Sequence, residues 1–353
     1  MHPGVVGFVN LFSFRMRILI SSHFFHPSIG GIEHVGLVLA NEFSLAGHEV
    51  RVVTTTRESD NEIFPFKVIR RPSIPQLVEL VRWSEVFVHN NISLRTWWPL
   101  LLARRPWVIA HHTWIARTDS SLGLRDRLKH WLTRFATNIA VSRSIARQLT
   151  VPSVIIDNPY RDDLFQRDRF AKRENDLIFV GRLVRDKGVD ILLCALSLLR
   201  DRNVRPKLTI VGQGPELREL QRAVEKLCLT GQMTFLGART GKALVQVLNC
   251  HRVIVVPSRW QEPFGLVALE GIACGCRAIV ANSGGLPEAA GPQAVVFEHE
   301  RTVALAAAIE HTLNEDFDWE NYWRLTEEHL RPYQAKEVAN RYLQVLTNAF
   351  AER

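Results

Sequence analysis

The sequence predicts an α/β protein made of two doubly wound parallel sheets. Strand-like and helix-like segments alternate almost throughout the chain. Its 353 residues suit two domains. A stretch rich in charge and poor in apolar residues, 162–175, separates two runs of that alternation and sets the boundary near 165–175. The expected division is 16–168 for the first domain and 169–353 for the second, with the last helix free to cross back to the first. Residues 1–15 read as an extension outside the fold or a misplaced start, because Met16 opens the first convincing strand.

In the first half, Arg17 to Ile20 reads as a strand. Ile32 to Ala46 reads as a helix with Ile32, Val35, Leu39 and Phe43 on one face, ended by Gly47 as a C′ glycine. Strands follow at 50–54, 86–89, 107–110, 138–141 and 154–156. The second half repeats the pattern more cleanly. Strands are expected at 177–180, 208–211, 234–236, 253–256 and 277–280, with helices at 189–199 and 216–227. Two such domains leave an interdomain cleft lined by the carboxyl ends of both sheets, where α/β proteins bind ligands.

A hydrophobic content of 46% with 23% charged residues is that of an ordinary soluble globular protein. No apolar run approaches the roughly 20 residues that span a bilayer, and Phe8 to Phe14 reads as neither signal peptide nor anchor. The five cysteines form no C-x-x-C pair and read as small buried residues of a reducing compartment. Residues 1–172 hold 22 Lys/Arg against 14 Asp/Glu, and residues 173–353 hold 22 of each. The net charge of +8 therefore lies in the first half, which points to an anionic partner there, a phospholipid surface or a phosphate-bearing substrate.

Several loops that follow strands carry chemistry. Pro27-Ser28-Ile29-Gly30-Gly31 leads into the first helix, where a glycine pair lets a ligand approach backbone amides. Gly181-Arg182-Leu183-Val184-Arg185-Asp186-Lys187-Gly188 is its counterpart, and Arg182 with Lys187 could clamp a diphosphate. Gly212-Gln213-Gly214-Pro215 lacks the third glycine of a dinucleotide fingerprint and reads as a tight turn. His112 follows a strand and suits proton handling or polar substrate contacts. Glu262 and Glu270 flank a Pro-Phe-Gly turn that leads into a helix, at most about 12 Å apart along a helix axis. That span suits a ligand with a sugar at one end, a ribose at the other and phosphates between, near helix N-terminal amides. Leu124 to Phe135 puts Leu124, Leu128, Trp131, Leu132 and Phe135 on one face, which fits a helix packed on its sheet or one lying on a membrane. Trp97 to Leu102 reads as core.

The ordered set Gly30-Gly31, Gly181-Arg182, Asp186-Lys187-Gly188, Gly212-x-Gly214-Pro215 and Glu262-x7-Glu270 resembles the retaining nucleotide-sugar glycosyltransferases of family 4, which have the GT-B fold. Asn158-Pro159 and Gly284-Gly285-Leu286-Pro287-Glu288 match further landmarks, and the resemblance covers roughly 16–350. It implies a second domain that binds the nucleotide-sugar donor and a first that binds the acceptor. Arg182 and Lys187 would hold the diphosphate, with Gly30 and Gly31 approaching it from the first domain. Glu262 would contact the sugar near its anomeric centre, with the amides of Phe264, Gly265 and Leu266 beside it. Glu270 would accept from the ribose hydroxyls, and His112 would contact the sugar. The resemblance further implies retention of anomeric configuration with no metal or other cofactor. It departs from the family at Cys276-Arg277 and at Asn158-Pro159-Tyr160, which leaves sugar and acceptor preference open.

The expected function is transfer of a sugar from a nucleoside-diphosphate sugar to a glycan or lipid-linked acceptor, as in cell-surface polysaccharide or lipopolysaccharide synthesis. The expected location is cytoplasmic with peripheral contact to an anionic membrane, and no nucleic acid is expected as a partner. The alternatives are a GT-B sugar-nucleotide epimerase or phosphorylase, or a sugar-nucleotide-binding protein without catalysis.

Overall fold

The computed structural model describes residues 15–28, 30–57, 63–115 and 123–352, so nearly all of the extension expected at 1–15 lies outside the described residues. The chain divides into two compact units. One comprises the described residues up to His111, those of Ile115–Ile139 and those from Ala339 onward; the other comprises His112–Trp114 and Ala140–Val338.

The elements begin with β1 (Arg17–Ser22), α1 (Gly31–Leu45), β2 (Glu49–Thr54), β3 (Lys67–Arg70), α2 (Ile74–Trp83), β4 (Val86–Asn90) and β5 (Trp107–His111). They continue with α3 (Leu124–Leu132), β6 (Thr137–Ala140), α4 (Arg143–Gln148) and β7 (Val154–Ile155). All seven strands join one sheet in the order β3-β2-β1-β4-β5-β6-β7. The pairs from β3 through β2, β1 and β4 to β5 are parallel, with Ile20 opposite Val52 on one side and Val88 on the other. Such strands are covered on both faces, so they read as unbroken apolar runs; all five residues of β4 and of β5 are buried. On α1, Val35, Leu39 and Phe43 are buried as their spacing predicts. The chain then leaves the helix at Ala46 with Gly47 at φ +90°, a conformation that glycine adopts without strain. The sequence reading did not include the short edge strand β3 or helix α2. The latter starts at Ser73, whose side chain caps Gln76 N while Gln76 caps Ser73 N in return.

The second sheet uses β8 (Asn175–Val180), α5 (Val189–Asp201), β9 (Leu208–Val211), α6 (Leu217–Lys226), β10 (Met233–Gly237), α7 (Gly241–Asn249) and β11 (His251–Val256). It continues with α8 (Leu266–Ala273), β12 (Arg277–Ala281), α9 (Leu286–Ala290), β13 (Val295–Phe297), α10 (Thr302–Asn314) and α11 (Trp319–Leu330), and the last helix is α12 (Ala335–Ala351). The strand order is β10-β9-β8-β11-β12-β13, and each adjacent pair is again parallel. Leu192, Leu193 and Leu196 of α5, Ile254 of β11 and Leu269 of α8 are fully buried in one continuous core.

Three expectations about packing need correction. Leu101 and Leu102, read as core, are mostly exposed, because the turn Trp98–Leu101 buries only Pro99. Helix α3 buries Asp126 and Leu132, while Leu124, Leu128, Trp131 and Phe135 are between 40% and 85% exposed, so much of its apolar stripe faces outward. Of the cysteines, Cys274 and Cys276 are buried but Cys194, Cys228 and Cys250 are exposed.

Candidate active site

The densest group of predicted site residues lies in the second unit, on the loops that follow β8, β11 and β12. The loop after β8 leaves the sheet at Gly181 and makes a short 3-10 turn over Arg185–Lys187. It re-enters a helix through Gly188 at φ +68°, where a Cβ would lie 2.1 Å from Pro257 O. Only glycine allows the two loops to approach this closely. The amides of Arg259 and Trp260 donate to Asp186 O at 2.8 and 3.1 Å, which ties the loop after β8 to the loop after β11.

That approach brings Lys187 to Glu262. Lys187 Nζ lies 2.5 Å from Glu262 Oε1, and Ser258 Oγ donates to the same oxygen at 2.8 Å. The sequence reading gave these two residues to different parts of a ligand, phosphate for one and sugar for the other. Without a ligand they neutralise each other. The Glu262 backbone is fixed from a third loop: Gly285 N donates to Glu262 O at 2.7 Å, and a Cβ on Gly284, at φ +60°, would lie 2.0 Å from that oxygen. Arg182 is exposed and forms no ion pair among the described residues, so its charge is available at the loop's edge.

Helix α8 begins beside this pair. Gly265 precedes it at φ +136°, and a Cβ there would press to 2.8 Å on Leu286 Cδ2. The Phe264 side chain is buried and tilts against the Tyr333 ring, so only its backbone is left for a ligand. Leu266 is the first residue of α8 and is only partly buried. Glu270, one turn on, keeps some surface exposure, yet its carboxyl is packed among protein atoms. Burial pushes it up to about 8, against an opposing pull from the Arg161 charge.

His112 is buried, and its Nδ1 lies 2.9 Å from Asn158 Oδ1, an acceptor that places the ring proton on Nδ1. Its neighbours hold the Glu262 loop. Trp114 Nε1 donates to Gln261 O at 2.8 Å, and Ser142 Oγ donates to Pro263 O at 2.6 Å. Arg143 N donates to Glu288 Oε2 at 3.0 Å. Nothing in the sequence analysis gives Ser258, Ser142 or Trp114 a site role. Ser258 had a weak signal, a hydroxyl at a strand's end four residues before a glutamate; the other two are distant in sequence and left none.

Two glycine motifs resolve differently. Gly212 and Gly214 pack on the loop after β8, where Cβ atoms would lie 1.8 Å from Gly181 O and 2.2 Å from Leu183 O. They form the tight turn read from the sequence. Gly30 and Gly31 lie in the first unit, where α1 starts at Gly31 and Asn90 Nδ2 donates to Ile32 O at 2.9 Å. Gly30 has an extended backbone that any residue adopts.

Among the described residues, no group of three or more His, Cys, Asp or Glu is arranged to hold a metal ion. No helix of the described residues is long and apolar enough to cross a membrane.

Parallel sheets with these loops at their carboxyl ends describe a class, the doubly wound α/β proteins, whose ligands bind at strand ends. Comparison with known proteins narrows it: residues 161–329 match the model of the glycosyl transferases group 1. A D-inositol 3-phosphate glycosyltransferase of Corynebacterium jeikeium is 41% identical over 245 residues, which is 59% of this chain and 58% of that protein's own length. A glycogen synthase of Mycobacterium tuberculosis is 27% identical over an aligned length of 381 residues, covering 86% of this chain and 92% of the relative. Among solved structures, Anabaena Alr3699/HepE in complex with UDP and glucose superposes with a TM-score of 0.77 at 19% identity, covering 95% of this chain and 100% of that one. A sucrose-phosphate synthase from Thermosynechococcus elongatus superposes at 0.78 with 21% identity, covering 96% and 100%. At these identities the likeness shows the fold, which is the GT-B class with two Rossmann-like units.

Proposed function

We propose that this protein is a retaining glycosyltransferase that moves a sugar from a nucleoside-diphosphate sugar to a glycan or lipid-linked acceptor without a metal ion. The observation that carries this reading is the Lys187–Glu262 pair, 2.5 Å apart at the carboxyl ends of β8 and β11 within the stretch that matches the family. In this reading Lys187 supplies the cation for the diphosphate, and Glu262 accepts hydrogen bonds from the sugar. The named activities of the relatives, including the HepE complex with UDP and glucose, support the same donor chemistry.

In the proposed reaction the bond from the anomeric carbon to the β-phosphate oxygen breaks, and negative charge develops on that phosphate. Lys187, Arg182 and the amides at the start of α8 stabilise the charge. Lys187 turns from Glu262 toward phosphate as the donor enters, which frees Glu262 for the sugar hydroxyls. The acceptor hydroxyl attacks the same face, and its proton passes to a donor phosphate oxygen. His112, oriented by Asn158, contacts the sugar, and Glu270 takes the ribose hydroxyls. The outward apolar stripe of α3, next to Arg125, Arg127, Lys129 and Arg134, fits peripheral contact with an anionic membrane. This contact would bring the enzyme to a lipid-linked acceptor for cell-surface polysaccharide.

A thermal-shift panel of nucleoside-diphosphate sugars, followed by turnover with the stabilising donor, tests the reading. The expected result is stabilisation by at least one donor and product with the anomeric configuration of that donor. Stabilisation by a nicotinamide cofactor alone, or sugar release without any acceptor, would overturn it.

A further inference from the structure

The charge-rich stretch that divides the chain carries Arg167, Arg169 and Arg173, and no step of the proposed reaction uses them. It belongs wholly to the second unit and runs without helix or strand until β8 begins at Asn175. It is nonetheless fixed in place. Asn249, itself buried, accepts from Asp168 N at 2.7 Å and donates to Gln166 O at 3.0 Å. Nearer its start, Tyr160 N donates to Tyr333 O at 3.1 Å, and an Asp162 oxygen accepts from Ala335 N at 2.9 Å. A cavity of about 490 Å³ lies between this stretch, the last turn of α8, helix α11 and the turn that follows it.

The lining joins cations to an apolar part. Phe165, Ile272 and Leu330, all buried, supply the apolar part, and Arg167, Arg169 and Arg331 supply the cations. The Arg167 guanidinium lies 4.0 Å from the centre of the Trp323 ring, which holds it without cancelling its charge. Its carboxylate partner, Glu327, is 3.9 Å away and 65% exposed, so the contact is weak. Arg169 and Arg331 are exposed and form no ion pair among the described residues. The other lining carboxylate, Asp162, is engaged at the start of α12. Arg173 adds positive charge from outside the lining. It donates to Cys274 O at 2.6 Å and to His251 O at 2.8 Å, and so answers the carbonyl end of α8. Burial, and then the charges of Arg169 and Arg173, hold the Arg167 guanidinium below its ordinary value against the opposing pull of Glu327. Gly275 permits this crowding: its φ is +86°, and a Cβ there would lie 2.3 Å from Arg173 Nη2 and 3.0 Å from Arg167 Cδ.

We infer that this cavity is a second anion site, which binds a phosphate monoester with its phosphate on Arg167, Arg169 and Arg331 and its organic part on Phe165, Ile272 and Leu330. Guanidinium forks match phosphate oxygens two at a time, which suits a group shared between arginines. A bare phosphate ion would leave the apolar part uncovered. The site is separate from the Lys187–Glu262 pair. The loop of that pair leads into the first residue of α8, while the cavity meets the last, Ala273, with roughly 10 Å of helix between them. The two sites therefore fill independently, and the inference does not rest on the donor reading.

Calorimetry on the full chain tests this with phenyl phosphate as the probe. Phenol is the control for the organic part and inorganic phosphate the control for the charge. Each titration is repeated in Lys187→Ala, on protein whose circular dichroism matches the parent, so that the loop after β8 does not contribute. The expected result is saturable binding of phenyl phosphate in both proteins, tighter than that of either control. Arg169→Ala/Arg331→Ala, added to either protein, should weaken it about tenfold or more, since each lost charge-assisted hydrogen bond costs about 1.5–3 kcal/mol. Both side chains are exposed, so the melting temperature of this variant should match that of the protein it was made in. No binding, or equal binding with and without the two arginines, overturns the inference. Binding lost in Lys187→Ala but kept in Arg169→Ala/Arg331→Ala would place the anion on the loop after β8 and overturn it as well. Inorganic phosphate as tight as phenyl phosphate would overturn the assignment of an ester.

Discussion

Lys187→Ala removes a cation whose nitrogen lies 2.5 Å from Glu262 Oε1. The side chains are 30% and 14% exposed, so the pair is neither a surface bridge nor a sealed one. Exposed pairs contribute about 0–1 kcal/mol, and removal of one partner from a buried pair costs about 3–5 kcal/mol. Ser258 still donates to the stranded carboxylate at 2.8 Å, which places the expected cost near 2 kcal/mol. For a unit of this size that lowers Tm by about 4–8 °C. The rate effect is larger. One preorganised charge withdrawn from a developing anion costs about 10²–10³ in kcat, equivalent to roughly 2.7–4 kcal/mol. The assay is nucleoside-diphosphate release with acceptor present, on protein whose circular dichroism matches the parent. Turnover within about twofold of the parent would refute the assignment of Lys187 to the leaving phosphate. A fold lost altogether in this variant and in Lys187→Met would show the pair to be structural.

Glu270 supplies a pH prediction. Burial holds its folded-state value near 8, above the ordinary 4.5, so the folded protein binds the extra proton and loses stability as pH rises from about 4.5 to about 8. If the carboxylate form accepts from the ribose, nucleotide affinity rises over pH 6 to 8, by up to about tenfold per unit, and Glu270→Gln flattens that slope. A flat profile in the parent would count against the role. Gly284→Ala should destabilise by about 2 kcal/mol or more and raise KM for the donor, because φ is +60° and the new Cβ would lie 2.0 Å from Glu262 O. Unchanged melting and KM would show that this loop yields freely. Chelator should leave turnover intact; loss of activity restored by Mg²⁺ or Mn²⁺ would remove the metal-free reaction. Trp131→Ser with Leu128→Ser should reduce flotation with anionic vesicles at low salt, and flotation equal to the parent's would remove α3 from the membrane face.

Much of the fold was legible because parallel strands buried on both faces leave unbroken apolar runs, as at Val253 to Val256, and each run is followed by a loop and a helix. The short edge strand β3 was not legible, because none of the four residues Lys67–Arg70 is buried and no apolar run marks them. The orientation of α3 was not legible either. A stripe of Leu124, Leu128, Trp131 and Phe135 has the same spacing whether it meets a sheet or water, and in the fold Asp126 and Leu132 are the helix residues turned inward.

The glycine and charged loops could be read as phosphate-binding positions from their place after strands. Sequence order alone determined that Arg182, Lys187, Glu262 and Glu270 lie at the ends of strands or the starts of helices, since backbone periodicity is local. The partners of those residues belong to tertiary structure. Lys187 meets Glu262 across 75 positions of chain, and His112 meets Asn158 across 46. Spacing carries no trace of such contacts, because they depend on how adjacent strands bring their loops together. In the sequence the two glutamates read as two ends of one ligand span, with nothing to set their charge states apart. In the folded chain they differ: Glu262 is paired with Lys187 and accepts from Ser258, and Glu270 is a desolvated acid near Arg161.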